Sequence, residues 1–152
     1  MKTMIKIALL TPLLALQAFA GNFGSIDQPG QVQNDQALVQ AVRARRNVFY
    51  VQGANLTVRK VLPDDTSGLP HQKWIAQLTD GSTIQVVYNS DMGNRVPMKE
   101  GDTFGVGGQF LWLRTQGLIH WLHEDPRHNR PDGYIYFNGV VYGETNSGYN
   151  RR

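Results

Sequence analysis

The densest run of chemically competent side chains is His120-Trp121-Leu122-His123-Glu124-Asp125-Pro126-Arg127-His128, which holds three of the four histidines. Imidazole and carboxylate groups suit two tasks: proton transfer near neutral pH, and coordination of a borderline divalent metal such as zinc. If a divalent metal binds, its expected ligands are His120, His123, Asp125 and His128, although their spacing matches no standard metal signature. His120 and His123 are three residues apart, so a continuous strand would point them to opposite faces. A turn near Leu122 would bring both to one centre, and Pro126, which steers Asp125 away from helix, fits a turn there. In a catalytic reading His120 or His123 is base or metal ligand, Asp125 orients it, and His71 joins from a neighbouring strand. In the structural reading His120 shares a face with Leu118 and Leu122, and Asp125 simply bonds backbone amides in a loop.

A second set suits ligand contact. Arg95, Arg127 and Arg130 supply positive charge, and Asn89 and Asp91 supply polar contacts. Trp121 and Tyr134, with Trp74, Trp112 and Tyr136, supply rings on which a ligand can stack. Asp64 and Asp65 sit in a Pro/Ser/Gly stretch, where turn chemistry and oxygen ligation of a cation are the two options. The chain has no cysteine, which excludes disulfides, thiolate metal sites and thiol nucleophiles. It has no nucleophile elbow, Walker loop, dinucleotide fingerprint or His-Glu-x-x-His.

The elements that must position these residues follow from periodicity. Asn34 reads as a helix N-cap with Asp35 in the first turn, and Leu38, Ala41 and Val42 form one apolar stripe. Arg43, Arg45 and Arg46 fall where cations favour the helix dipole. From Asn47 the period changes to two. Expected strands are Val48–Leu62 with a bulge at Gly53, His71–Leu78, Ser82–Tyr88, Thr103–Leu113, Gly117–Leu122, and a hairpin over Tyr134–Tyr142 turning at Asn138-Gly139. Trp74, Ala76 and Leu78 share a face, as do Phe104, Val106, Phe110 and Trp112. Gly105, Gly107 and Gly108 point to strong curvature. The expected fold is mainly β: a small antiparallel OB-like barrel of six or seven strands preceded by one short helix, with a sandwich second.

Residues 1–20 carry the features of a cleaved secretory signal: Lys2 and Lys6, a short apolar run from Ile7 to Leu16, and Ala18-Phe19-Ala20 before Gly21. A periplasmic or secreted protein cut after Ala20 is therefore expected, with no membrane span in the mature form. A flexible lead-in (21–34), one domain (35–145) and a flexible tail (146–152) complete the organisation. The sequence pI of 9.3 invites a polyanion partner. Loss of Lys2 and Lys6 leaves a net charge of +1, and between Asn47 and Glu144 ten acids outnumber eight bases. Net charge thus does not support nucleic acid as a partner, and such a role would require Arg95, Arg127 and Arg130 to be grouped in space.

His71-Gln72-Lys73-Trp74, Asn89-Ser90-Asp91 with Arg95-Val96-Pro97, Gly101-Asp102-Thr103 and the His120-Trp121-x-His123-x-Asp125-Pro126-Arg127 run occur in this order. They resemble a family of small exported bacterial proteins classed as a domain of unknown function, over about residues 48 to 142. The resemblance implies an exported OB-like barrel and no established reaction. It also implies histidines where this chain has Tyr88 and Arg130, with His128 two residues before the latter. Two functions are expected from these residues. One is a module holding an oligomeric ligand or a protein partner. The other is a metal-assisted phosphodiesterase or nuclease built on His120, His123 and Asp125.

Overall fold

The computed structural model describes residues 26–65 and 67–144. The expected signal segment (1–20), the start of the expected lead-in (21–25) and the expected tail (146–152) lie outside the described residues. Among them, no helix is long and apolar enough to cross a membrane.

One helix, α1 (Gln36–Ala44), precedes seven strands: β1 (Val48–Leu62), β2 (His71–Gln77), β3 (Thr83–Asn89), β4 (Thr103–Leu113), β5 (Gln116–His120), β6 (Tyr134–Phe137) and β7 (Val140–Tyr142). The sheet order is β1-β2-β3-β5-β4-β6-β7, and β4 also pairs with β1. That pairing closes β1-β2-β3-β5-β4 into a five-stranded barrel, with β6 and β7 as an added hairpin on β4. The expected OB-like barrel behind a short helix is what the chain forms. One detail differs from an all-antiparallel barrel: β3 and β5 run parallel. An odd number of strands cannot alternate direction all the way round a closed barrel, so one pair must be parallel.

β1 is too long for one barrel wall, and it bends. Its first part pairs with β4 and its second with β2, with register shifts between Gly53 and Leu56 and between Val58 and Lys60. Asn55 adopts φ 65° inside the first shift, the backbone signature of a bulge. On β4 the glycines mark a change of partner. Gly105 and Gly107 pair with β6, while Gln109 onward pairs with β5.

Alternation sets the core. Trp74, Ala76, Ile84, Val86, Tyr88, Val106, Phe110 and Ile119 point inward and are buried. Trp112 packs at the rim of the same cluster. The helix begins one residue later than the sequence suggests. Asn34 Oδ1 accepts from the Gln36 amide, whereas the buried Asp35 carboxylate turns away and accepts from Thr79 N and Oγ1 at 2.6 and 2.5 Å. Arg43 reaches Asp80 on the β2–β3 turn at 3.1 Å, and Arg45 is a left-handed C-cap, so only Arg43 occupies the last helical turn. Residues 27–34 lie along β1 through bonds such as Gln52 Nε2 to Asp27 O and Asn55 Nδ2 to Gln33 O.

Candidate functional site

β2, β3, β5 and β4 present their alternate residues on the outer barrel face. His71 pairs with Asn89 across β2–β3. The parallel pairing of Val86 with Ile119 sets His120 beside Val87, and His120 pairs with Gln109 on β4. All of these outward side chains are half-buried.

β5 ends at His120 because Trp121 adopts φ 59°, a left-handed conformation rare for a bulky side chain. Gly133 makes the turn possible. A Cβ there would lie 1.8 Å from Trp121 O, and the Gly133 amide donates to His123 O. The break reverses the alternation. Leu122 drops into the core, so it does not share the outer face of Leu118 and His120 as expected. His123 instead returns to the side of His120. His71, Val87, Asn89, His120, Trp121 and His123 line one pocket of about 230 Å³.

Each imidazole of the pocket has one nitrogen held. His71 Nδ1 donates to Asp65 Oδ2 at 3.0 Å, and the other Asp65 oxygen pairs with Lys73. His123 Nδ1 donates to Glu124 O at 2.7 Å, and a carbonyl only accepts, so the proton sits on Nδ1. His120 Nε2 donates to Gln109 Oε1 at 3.0 Å. The remaining ring nitrogens are His71 Nε2, His123 Nε2 and His120 Nδ1. Burial, and then the positive charges of Arg130, His123 and His71, lower the pKa of His120 and favour its neutral form. Hydrogen bonding from Lys73, working against burial and aided by His71, lowers that of Asp65. Among the described residues, no three histidine or carboxylate groups are spaced to hold a metal ion.

Asp125 sits elsewhere. Its Oδ1 accepts from Arg127 N, and its Oδ2 from Asn129 N and Arg130 N. Burial works to raise its pKa, but these amides and Arg130 outweigh it and hold the carboxyl below its ordinary value. Asp125 thus organises the 125–130 turn and contacts no pocket imidazole, as the structural reading anticipated. The carboxylate beside an imidazole is Asp65, for which the sequence suggested turn chemistry or cation ligation and not a histidine partner.

Arg130 lies next to the pocket. Its guanidinium is 4.4 Å from the Trp121 ring centroid and 4.5 Å from that of Phe49, which is exposed. It also contacts Gln109 Oε1 at 3.5 Å, and among the described residues it forms no ion pair. The Trp121 ring lies against His123 at a tilt of 38°, with centroids 4.7 Å apart, and its indole N–H is buried without a partner among the described residues.

The other expected contacts are dispersed. Arg95 pairs with Asp64 at 2.6 Å and does not line the imidazole pocket. Asn89 lines the pocket, while its Oδ1 caps the Asp91 amide and Asp91 stays exposed. Arg127 and His128 are exposed in the loop. Tyr134 is buried, with its hydroxyl accepting from Gln52 Nε2, and Trp74 is core. Tyr88 points into the barrel, where its hydroxyl donates to Asn94 O.

A family model described as a protein of unknown function, DUF3465, matches residues 22–143. No curated protein and no solved structure matches the chain.

Proposed function

The chain belongs to the DUF3465 family of proteins of unknown function, and from that premise we propose that it is an exported OB-like binding module for an oligomer of ring-bearing, charged units, met at the pocket by Arg130 and not by the group of three arginines that a polyanion partner was expected to need. The ligand lies on the outer face of β2, β3, β5 and β4, centred on the imidazole pocket. One observation carries this reading: Arg130, free of any ion pair among the described residues, lies over the rings of Trp121 and Phe49 at the pocket edge. A guanidinium held over aromatic rings keeps its charge in a fixed place beside apolar surface. OB-like barrels use this face and its loops for oligonucleotides and oligosaccharides. Export is supported by Lys2, Lys6, the apolar run and Ala18-Phe19-Ala20.

The test is fluorescence anisotropy of a labelled single-stranded oligodeoxynucleotide titrated with the purified chain. A neutral oligosaccharide of similar length serves as competitor. The reading expects saturable, salt-sensitive binding that the oligosaccharide does not displace. Arg130→Ala is expected to weaken binding roughly tenfold, the loss of about one stacking or charge contact. Absence of saturable binding, or binding unchanged in Arg130→Ala, overturns it.

A further inference from the structure

A second guanidinium lies over a second ring further along β4. Arg45 is 5.7 Å from the ring centroid of Trp112, which is half-buried at the barrel rim. Arg130 meets Gln109, three residues earlier on the strand, so the two stations are roughly 10 Å apart along β4. Leu111 faces outward between them and pairs with the outward Leu118 of β5. With the exposed Phe49 these side chains form an apolar floor. The Trp112 end is cationic. Arg45, Arg46 and Arg114 are exposed and form no ion pair among the described residues. No acid occurs in 44–49 or 109–118. Asn47 Oδ1 accepts from the Trp112 amide at 2.8 Å, which ties the helix exit to this end of β4. The helix does not need these guanidiniums as caps, because the amides of Arg45 and Arg46 already donate to Val42 O and Ala41 O.

We propose that these two stations and the floor between them form one track for single-stranded nucleic acid, with backbone phosphates on Arg130 and Arg45 and bases on Phe49, Leu111 and Leu118. The inference rests on the binding reading and names its ligand. A flat base has an apolar face that a phenylalanine and two leucines can cover. A sugar needs polar partners for its hydroxyls, and those three side chains offer none. A duplex hides its base faces in the stack, so the strand must be single. Charge selects the same occupant. Arg95 of the expected group is paired with Asp64, but Arg45, Arg46 and Arg114 stand unpaired where β4 leaves the floor. A chain of phosphates complements such a row.

The test compares oligothymidylates of two and eight nucleotides with an abasic strand of eight units, by anisotropy and by NMR at the tryptophan indoles. The longer strand covers both stations and lies within the roughly 4–16 nucleotides that one OB-fold holds. Arg45→Asn removes the charge and keeps a residue type that tolerates φ 51°. It is expected to weaken the eight-unit strand about three- to tenfold and to lower the salt slope by about 0.7, one phosphate contact. Circular dichroism checks that the variant is folded. The two-unit strand, read at the Trp121 indole, is expected to bind Arg45→Asn as it binds the parent. Lys99→Asn, which removes a cation paired with Asp102 just before β4, is expected to leave the eight-unit affinity unchanged. The Trp112 indole is expected to shift with the eight-unit strand, and the abasic strand to bind about tenfold more weakly. If Arg130→Ala weakens binding while Arg45→Asn does not, the inference falls and the binding reading stands. An unmoved Trp112 indole, equal losses in Arg45→Asn and Lys99→Asn, or an abasic strand that binds as tightly overturns the inference also. Failure of every strand to bind overturns both.

Discussion

Asp65 Oδ2 accepts a hydrogen bond from His71 Nδ1 at 3.0 Å, while the second carboxylate oxygen holds Lys73. A loop acid therefore fixes which nitrogen of His71 is left for the pocket. In Asp65→Ala that constraint disappears. Side-chain nitrogen NMR is expected to show His71 in the Nδ1–H form in the parent and in a mixture of tautomers in the variant. An unchanged tautomer in Asp65→Ala would remove Asp65 from the site.

Asp125 supports the loop that carries Arg130. Replacing it with Ala strips acceptors from the Arg127, Asn129 and Arg130 amides. Hydrogen exchange at these amides is expected to accelerate while strands β2 and β3 keep their protection. Because the folded-state pKa of Asp125 is lowered, its stabilisation is present above the unfolded value near 4 and is lost as pH falls through the lower folded value. His120 adds to this at higher pH. Its folded pKa is also lowered, so acidification below its ordinary value of about 6.5 costs stability as the half-buried ring is forced to charge. A His120→Gln variant is expected to flatten the pH dependence of the unfolding midpoint below about pH 6.5.

The helix is tied to the barrel through Asp35, whose buried carboxylate accepts from both the amide and hydroxyl of Thr79. Asp35→Ala leaves those donors unpaired, at a cost of about 1–3 kcal/mol. Denaturant unfolding should show this drop in the midpoint with an unchanged slope.

Much of the barrel was legible because alternation is legible. His71, Lys73 and Ile75 face out while Gln72, Trp74 and Ala76 face in, as period two dictates. Asn138-Gly139 gave the terminal hairpin its turn, with φ 50° and 78° at the two positions. The site was legible only in part. His71, His120 and His123 were marked by residue type and do line one pocket. The turn that unites them was not legible, because nothing in a tryptophan announces φ 59°. Its cause lies twelve residues away, where only a glycine can approach Trp121 O. Nearness in sequence favoured Asp125 as the partner acid, whereas the β1–β2 loop delivers Asp65. Gln109 reaches His120 only through the β4–β5 register, which no local pattern encodes.

Position 88 gives a further check. The family resemblance implied histidine there, yet Tyr88 faces the barrel interior and not the pocket, and burial pushes its pKa up to about 12. Tyr88→His trades a buried, hydrogen-bonded ring for a smaller polar one. The expected loss is about 2–4 kcal/mol, measured by thermal or denaturant unfolding. No gain in ligand affinity is expected, because the new ring stays inside. A stable variant with tighter binding would show that position 88 does reach the outer face.

The claim on which the rest depends is that the ligand occupies the imidazole pocket beside Arg130 and Trp121. The most direct measurement is a titration of isotope-labelled protein with a single-stranded oligodeoxynucleotide, followed by NMR at the histidine rings and the tryptophan indole N–H groups. The account predicts saturable shifts at His71, His120, His123 and the Trp121 indole, with His128 and the core Trp74 indole unmoved. Shifts confined to α1 and the first half of β1, or none at saturating oligonucleotide, would contradict it.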